Sequence, residues 1–310
     1  MTECLGVYYF GYGGFDLEKI KNAMPFTSGD KIDQNEWLNN RDKVFNSVRQ
    51  ATAKEATDAA FVNCNQKVIL FVGVAGKTYI PAKFKKAPSQ NLSLPKELID
   101  CYEQMMDASS AGVSTGAKEK MQEADKKTEE LKRLGTTIVD QLVKVLLNSA
   151  DARQRYVAAY ALGLLAQRKN ELDALISATI DPDSTVRNNA VRELCDSARQ
   201  NPKLAAQIDP RYFIRMLSSG TWTDRNKSSF MMEVLTRSRS HDLLRRLHRD
   251  SLATLIEMAN WNKSHAWPSL VILGRMGKLS DNEIEQLISE NQIQIIISKA
   301  KQGPKSSNNR

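Results

Sequence analysis

The feature that most constrains the fold is a helical pattern that repeats from Gly135 onward. Two segments share Asp, Arg, Ala and Leu at the same offsets with a step of 32 residues, namely Asp151, Arg155, Ala158 and Leu162 in one copy and Asp183, Arg187, Ala190 and Leu194 in the next. Looser third and fourth copies place Lys227 at the Arg position and Leu273 at the Leu position. Each copy follows a shorter apolar helix. A helix of such a pair cannot bury its apolar face alone, so the pattern predicts a stack of helix pairs with one continuous core.

Helix pairs at this step resemble HEAT repeats, and the Asp–Arg pair at the start of the second helix is the mark of that family. The resemblance extends over residues 135–280 and implies an α-solenoid. It also implies structural roles for Asp151, Arg155, Asp183 and Arg187. Because Asp and Arg lie four residues apart, we expect them to pair within a helix and to contact the next repeat.

The first 80 residues have a different pattern. Gly6-Val-Tyr-Tyr-Phe-Gly11 reads as a short strand, and Asp16 is placed to cap a helix that ends at Pro25. A second helix is predicted over 34–52, with Trp37 and Val44 in its apolar stripe. Two strands follow, at 59–63 and 68–72, joined by a tight turn at Asn65-Gln66. The predicted order is β-α-α-β-β.

That order, together with the segment from Leu17 to the Gly29-Asp30 turn, resembles a POTRA domain. The resemblance covers residues 6–75. It implies an extracytoplasmic module that binds extended peptides by adding a strand at its sheet edge. Two features depart from the family, since no signal peptide precedes the domain and no membrane β-barrel follows it.

Between these regions, residues 76–94 contain Pro81, Pro88 and three lysines without periodicity, which predicts a linker. One helix is expected to begin near Pro95, and a solvated, charged helix is expected over 117–134. The predicted organisation is a small α+β domain at 1–80, a linker with connecting helices at 81–134, an all-α HEAT-like solenoid at 135–302 and a disordered tail at 303–310. The chain should be predominantly α-helical.

Charge is concentrated in the second half of the chain. Residues 1–134 carry a net charge of +1, whereas residues 135–310 carry +7. The excess is densest between Arg211 and Arg249, where nine basic residues face three acidic ones. Basic residues beside a tryptophan suit contacts with phosphates and bases. The candidate binding surface comprises Arg211, Arg215, Trp222, Arg225, Lys227, Arg237, Arg239, Arg245, Arg246 and Arg249. The other interpretation is a solvated helical surface with tryptophans in the core.

The sequence shows no set of residues arranged for catalysis or metal binding. Its four cysteines are dispersed without a C-x-x-C pair, its three histidines lack evident partners, and we expect no metal or cofactor. Gly11-Tyr-Gly13-Gly14 follows a strand, as a phosphate-binding loop does, but lacks the third glycine of that motif, so a tight turn is favoured. Met1-Thr-Glu-Cys-Leu-Gly is not a signal peptide, which predicts a cytoplasmic protein, or an exported one if a signal has been removed.

These observations favour a non-enzymatic scaffold that binds a protein or peptide through the concave face of the solenoid. The sheet edge of the first domain is a second contact surface on this hypothesis. The alternative is a nucleic-acid-binding protein that uses the basic stretch at 211–249, with HEAT-like DNA glycosylases as the catalytic version. No transmembrane segment is expected, because no apolar run approaches the roughly 20 residues that span a bilayer.

Overall fold

The computed structural model describes residues 1–64, 66–165 and 168–303. Asn65 of the predicted tight turn and the predicted tail from residue 304 onward lie outside these ranges. The four strands are β1 (Thr2–Phe10), β2 (Lys31–Ile32), β3 (Ala56–Cys64) and β4 (Lys67–Val74). The helices of the first half are α1 (Leu17–Ala23), α2 (Trp37–Thr52), α3 (Lys96–Thr115), α4 (Lys118–Thr136), α5 (Val139–Asn148) and α6 (Ala152–Gly163). The remaining helices are α7 (Lys169–Ala178), α8 (Ser184–Gln200), α9 (Pro202–Ala205), α10 (Arg211–Met216), α11 (Trp222–Leu235), α12 (His241–Ala259), α13 (Lys263–Met276), α14 (Asp281–Ser289) and α15 (Ile293–Gln302).

The predicted fold class is confirmed, with a small α+β region followed by paired helices. The strands form one sheet in the order β2-β1-β4-β3, and β1 runs parallel to β4. The sequence did not reveal the two-residue strand β2, which pairs with Thr2 and Glu3 directly after the Gly29-Asp30 turn. Burial on both faces explains why β4 is an uninterrupted apolar run.

One predicted core position of the first region is wrong. Val44 and Val48 of α2 are fully buried under the sheet, but the side chain of Trp37 is 49% exposed. A 3₁₀ turn at Gln34–Glu36 precedes α2, so the helical periodicity begins at Trp37 and not at residue 34. Trp37 therefore lies at the end of the apolar stripe, where the sheet no longer covers it.

The predicted linker and connecting helices belong to a hydrophobic core. Leu98, Tyr102 and Met105 of α3 are buried in one cluster with residues of α5 and α6. From α4 only Leu131 is fully buried, which agrees with the expectation of a mostly solvated helix. Because α3 buries a full apolar stripe against the repeats, the segment is an integral part of the helical stack and not a flexible connection.

The third repeat copy has a different register from the one its sequence predicts. Helix α11 has Thr221 as its N-cap, and four residues later Arg225 lies at the place that Arg155 occupies after its N-cap, Asp151. The side chain of Arg225 is fully buried, whereas Lys227, which the sequence pattern placed there, is only partly buried. The loss of the Asp at the N-cap obscured the match.

Chain contacts divide the protein into two units that do not follow sequence order. Unit 1 consists of Met1–Val62, Val68–Ala82 and Asp209–Arg310, and unit 2 of Asn63–Lys67 and Lys83–Ile208. These units differ from the predicted boundaries at 80, 134 and 302, since residues 209–302 associate with the sheet and residues 83–134 with the first two repeats. Among the described residues, no helix has both the length and the apolar character needed to cross a bilayer.

Candidate functional site

A buried ion pair joins the two clearest repeats in unit 2. The Arg155 guanidinium donates through Nε and Nη2 to the two carboxylate oxygens of Asp181, at 3.0 and 2.9 Å. Its Nη1 donates to the carbonyls of Ser149 and Ala150. The predicted partner, Asp151, instead caps α6 by accepting the backbone N–H of Arg153. The ionic contact therefore extends to the next repeat and not along the helix.

The next repeat copies this arrangement at its own turn. Arg187 donates through Nη1 to the carbonyls of Asp181 and Pro182, at 2.8 and 3.0 Å. Asp183 caps α8 by accepting the N–H groups of Thr185 and Val186. In both repeats the Asp caps the second helix and the Arg holds the preceding turn. Through these contacts Asp151, Arg155, Asp183 and Arg187 hold the helices and turns of their repeats together.

Helix α3 covers part of the second-helix face of unit 2. Tyr102 of α3 accepts a hydrogen bond from Asn189 of α8 at 3.1 Å. Its ring lies against the rings of Tyr156 and Tyr160 of α6, with centroids 5.8 and 5.3 Å away. The part of this face that α3 covers is therefore not available to a partner.

Unit 2 retains an open cleft where α6 and α8 end. This α6–α8 cleft has a volume of about 510 Å³. It is lined by Gly163, Leu164, Leu165, Leu172, Glu193, Asp196, Ser197, Gln200, Asn201 and Leu204. Its volume lies within the range of about 300–1,000 Å³ that is usual for ligand pockets.

Gly163 sets the shape of the α6–α8 cleft. A Cβ at this position would lie 2.1 Å from the Cβ of Glu193 and 2.2 Å from its Cγ. Only glycine allows α8 to approach α6 this closely, and the approach holds Glu193 in a position where it is only 7% exposed.

The chemistry of the α6–α8 cleft suits a polypeptide side chain. Four leucines are among its lining residues, and Glu193 and exposed Asp196 supply negative charge; Asp196 also pairs with Arg199 at 3.1 Å. Among the described residues that line the cleft there is no histidine, cysteine or lysine. The described residues contain no group of three or more metal-ligating side chains.

The predicted basic surface in unit 1 is largely neutralised by acidic neighbours. Exposed arginines of the set form ion pairs, and several partners lie outside the 211–249 stretch in which charge was counted. The pairs are Arg211 with Asp209, Arg237 with Glu233, Arg239 with Asp281, Arg245 with Asp242, and both Arg246 and Arg249 with Asp250. Among the described residues, Arg215 is exposed and has no ion-pair partner. Net charge along the sequence therefore overstated the positive surface.

Two members of that predicted surface are engaged with the sheet. Trp222 stacks on Phe71 with ring centroids 5.0 Å apart, and its backbone N–H donates to Asp58 at 2.9 Å. Arg225 has no exposed side-chain surface, and its guanidinium lies 4.9 Å from the centroid of the Phe10 ring. Arg225 therefore cannot contact a nucleic acid in this structure, and the Trp222 ring packs against the sheet.

The residue that sequence reasoning missed in unit 1 is Glu257. Its carboxylate accepts the N–H of Gly11 at 2.8 Å and the hydroxyl of Thr78 at 2.5 Å, and lies 3.5 Å from Arg225. Thr78 in turn accepts the N–H of Gly13. Burial raises the pKa of Glu257, and burial lowers the pKa of Arg225 to about 10. The glycine turn that resembled a phosphate loop thus donates to a carboxylate of the chain itself.

Comparisons with known proteins give low similarity throughout. No protein-family model and no curated protein matches the sequence. Solved structures that share features include an engineered protein from the Northeast Structural Genomics Consortium, at 14% identity and a TM-score of 0.41 over 67% of this chain and 96% of that one. A designed armadillo repeat protein aligns at 12% identity and a TM-score of 0.41, over 66% and 98%. The complex of CpcE and CpcF of phycocyanin lyase from Nostoc sp. aligns at 17% identity and a TM-score of 0.26, over 68% and 99%. At these values the likeness carries no inference about function.

Proposed function

We propose that this protein is a non-enzymatic scaffold whose helical repeats bind a polypeptide partner, and that the α6–α8 cleft of unit 2 is the contact site. The observation that carries the proposal is the cleft itself, whose lining combines four leucines with the carboxylates of Glu193 and Asp196. Such a site accommodates the aliphatic stem of a lysine or arginine, or an apolar residue beside one. The stem contacts the leucines while the cationic end meets a carboxylate.

Selection of peptides from a random library against the full-length protein tests the proposal. We expect the selected sequences to share a basic residue next to an apolar one and to bind more weakly to an Asp196→Lys variant. Asp173→Lys is the matched control, because Asp173 is an exposed, lysine-paired carboxylate of α7 outside the cleft. Failure to select any peptide, or equal binding by both variants and the wild type, would contradict the proposal.

A second contact surface, strand addition at the sheet of unit 1, has its own support. Strand β3 is the outer strand of the order β2-β1-β4-β3, and within the described residues its backbone bonds to no element other than β4. The first residues of α2 leave Trp37 and Leu38 exposed at 49% and 63%. This is the mode of binding that the resemblance to POTRA domains implies. Slower amide hydrogen exchange in β3 on addition of a selected peptide would support it, and unchanged exchange would oppose it.

The nucleic-acid alternative loses its main argument where the exposed arginines are paired. Surface ion pairs are weak and leave the arginines able to change partners. Measurement of oligonucleotide binding at two salt concentrations therefore still tests this alternative.

A further inference from the structure

Residues 83–94, here called the strap, follow two successive repeat turns of unit 2 in extended form. The N–H of Lys85 donates to the carbonyl of Ile180 at 2.9 Å. The N–H of Gln90 donates to the carbonyl of Asn148 at 3.1 Å, and the carbonyl of Gln90 accepts from Ala150 at 2.8 Å. The segment predicted to be a linker is therefore bound along its length.

The two anchored strap residues, Lys85 and Gln90, bind carbonyl groups at equivalent positions of two successive repeats. Asn148 and Ile180 are separated by the 32-residue step of the repeat. Asn148 is the last residue of α5, and Ile180 lies two residues after the end of α7. In unit 1, the N–H of Ile80 makes the same kind of bond to the carbonyl of Ser218 at 2.8 Å. Within the strap the two donors lie five residues apart, and each meets one turn carbonyl of unit 2. The repeat turns have the regular acceptors that an extended polypeptide needs.

Two strap side chains also have their own subsite. The Phe84 ring lies under the guanidinium of Arg187, with 3.8 Å between the cation and the ring centroid. The Lys85 Nζ lies 3.8 Å from the carboxylate of Asp181, which is fully buried and also holds Arg155. The subsite therefore fits an aromatic residue followed by a lysine, because Arg187 lies over the aromatic ring and Asp181 lies beside the ammonium group. These residues provide side-chain specificity in addition to the backbone bonds.

Leu92 and Leu94 at the end of the strap pack against the hydrophobic core of unit 2, whereas the part of the strap before Leu92 buries little apolar surface. Eight of its residues are exposed, namely Lys83, Phe84, Lys86, Ala87, Ser89, Gln90, Asn91 and Ser93. Segments with few buried apolar contacts and exposed backbone bonds open at low free energy relative to the core. We propose that the turns formed by Asn148–Ala150 and Ile180–Arg187 are a binding site for an extended polypeptide containing an aromatic–lysine pair, and that the strap is its resident, displaceable occupant. This inference rests on the proposed function only in that the repeats bind polypeptide, because its residues lie outside the α6–α8 cleft.

The test uses the full-length protein and a fluorescent peptide with the sequence of residues 82–94. In the wild type the strap competes with the peptide. The apparent affinity is therefore the intrinsic affinity multiplied by the fraction of molecules whose site is open. We expect a Phe84→Ala/Lys85→Ala protein to bind the peptide at least about tenfold more tightly than the wild type does. A Lys86→Ala/Ser89→Ala protein, changed at exposed strap positions away from the subsite, should behave like the wild type. A peptide with both subsite residues replaced by alanine should bind neither the wild type nor either variant protein.

Circular dichroism establishes that each variant remains folded. Equal binding by the wild type and the Phe84→Ala/Lys85→Ala protein, no binding up to millimolar peptide, or binding of the double-alanine peptide would overturn the inference. The Asp196→Lys variant separates the two proposals, because it should leave strap-peptide binding intact. Loss of strap-peptide binding in that variant would place the peptide in the cleft and refute the strap site. Failure of this experiment would leave the library selection to decide the proposed function by itself.

Discussion

Removal of Arg155 should destabilise unit 2 far more than removal of any exposed arginine. Arg155 and Asp181 are 2% and 0% exposed, and two hydrogen bonds join them. An Arg155→Met substitution keeps much of the aliphatic stem but eliminates the cation and its bonds to the carbonyls of Ser149 and Ala150. Asp181 is then left as a buried carboxylate without its main counter-ion.

The magnitude follows from what remains around Asp181. Breaking a buried pair by removing one partner costs about 3–5 kcal/mol, because the other charge stays desolvated. Asp181 keeps the N–H of Asp183 at 2.9 Å and the Lys85 ammonium at 3.8 Å. These contacts compensate part of the loss, so we expect a decrease in the free energy of unfolding near the lower end, about 3 kcal/mol.

Urea denaturation followed by circular dichroism at 222 nm provides the assay. Arg153→Met is the matched control, because Arg153 is on the same helix and pairs with Glu103 at the surface; its removal should change stability little. An Arg155→Met/Asp181→Asn double variant should lose less than the sum of the single losses, since the stranded charge is gone. The reasoning would be refuted if Arg155→Met resembled the control or if the two single losses added.

Three further outcomes test other parts of the structure. Gly163→Ala should destabilise the protein by about 1–3 kcal/mol in the same assay, because its Cβ has no room beside Glu193; unchanged stability would show that α6 and α8 separate freely. Burial raises the folded-state pKa of Glu257 above its ordinary 4.5, so the folded protein holds that proton more tightly than the unfolded chain does. The stability of the wild type relative to Glu257→Gln should therefore fall as pH rises from 4.5 through the raised pKa. A pH-independent difference in stability would contradict this. Fluorescence anisotropy with labelled duplex and single-stranded oligonucleotides at about 50 and 200 mM salt should show no micromolar binding. Tight binding that weakens steeply with salt, and that is lost on charge reversal of Arg245 and Arg246, would instead support the nucleic-acid alternative.

The sequence predicted the elements of the fold well because periodicity reports burial of one face. The repeats at 151–162 and 183–194 and, apart from the short strand β2, the order of elements in the first 80 residues are visible in residue spacing alone. Predictions from the sequence failed where the two residues of a contact are distant along the chain. Arg155 pairs with Asp181 and Arg225 approaches Glu257, and no spacing rule within one helix points to either partner.

The candidate sites were less accessible to sequence reasoning. The α6–α8 cleft depends on the close approach of Gly163 to Glu193, but glycine is common at helix ends whether or not a second helix crosses there. The strap lacks periodicity, so its sequence resembles a linker, although its donors at residues 85 and 90 match the repeat turns. The positive charge of the basic surface was overestimated for a different reason, because the count over residues 211–249 left out Asp250, the next residue in the chain, and Asp281, which is distant in sequence.

The most direct test of the central claim is a nuclear magnetic resonance titration of leucine methyl groups with the tightest selected peptide. We expect the shifts to concentrate on Leu164, Leu165, Leu172 and Leu204, the leucines that line the α6–α8 cleft. The same titration of the Asp196→Lys variant should require much more peptide. Saturable shifts elsewhere in the protein, with these four leucines unmoved, would contradict the assignment of the cleft as the partner site.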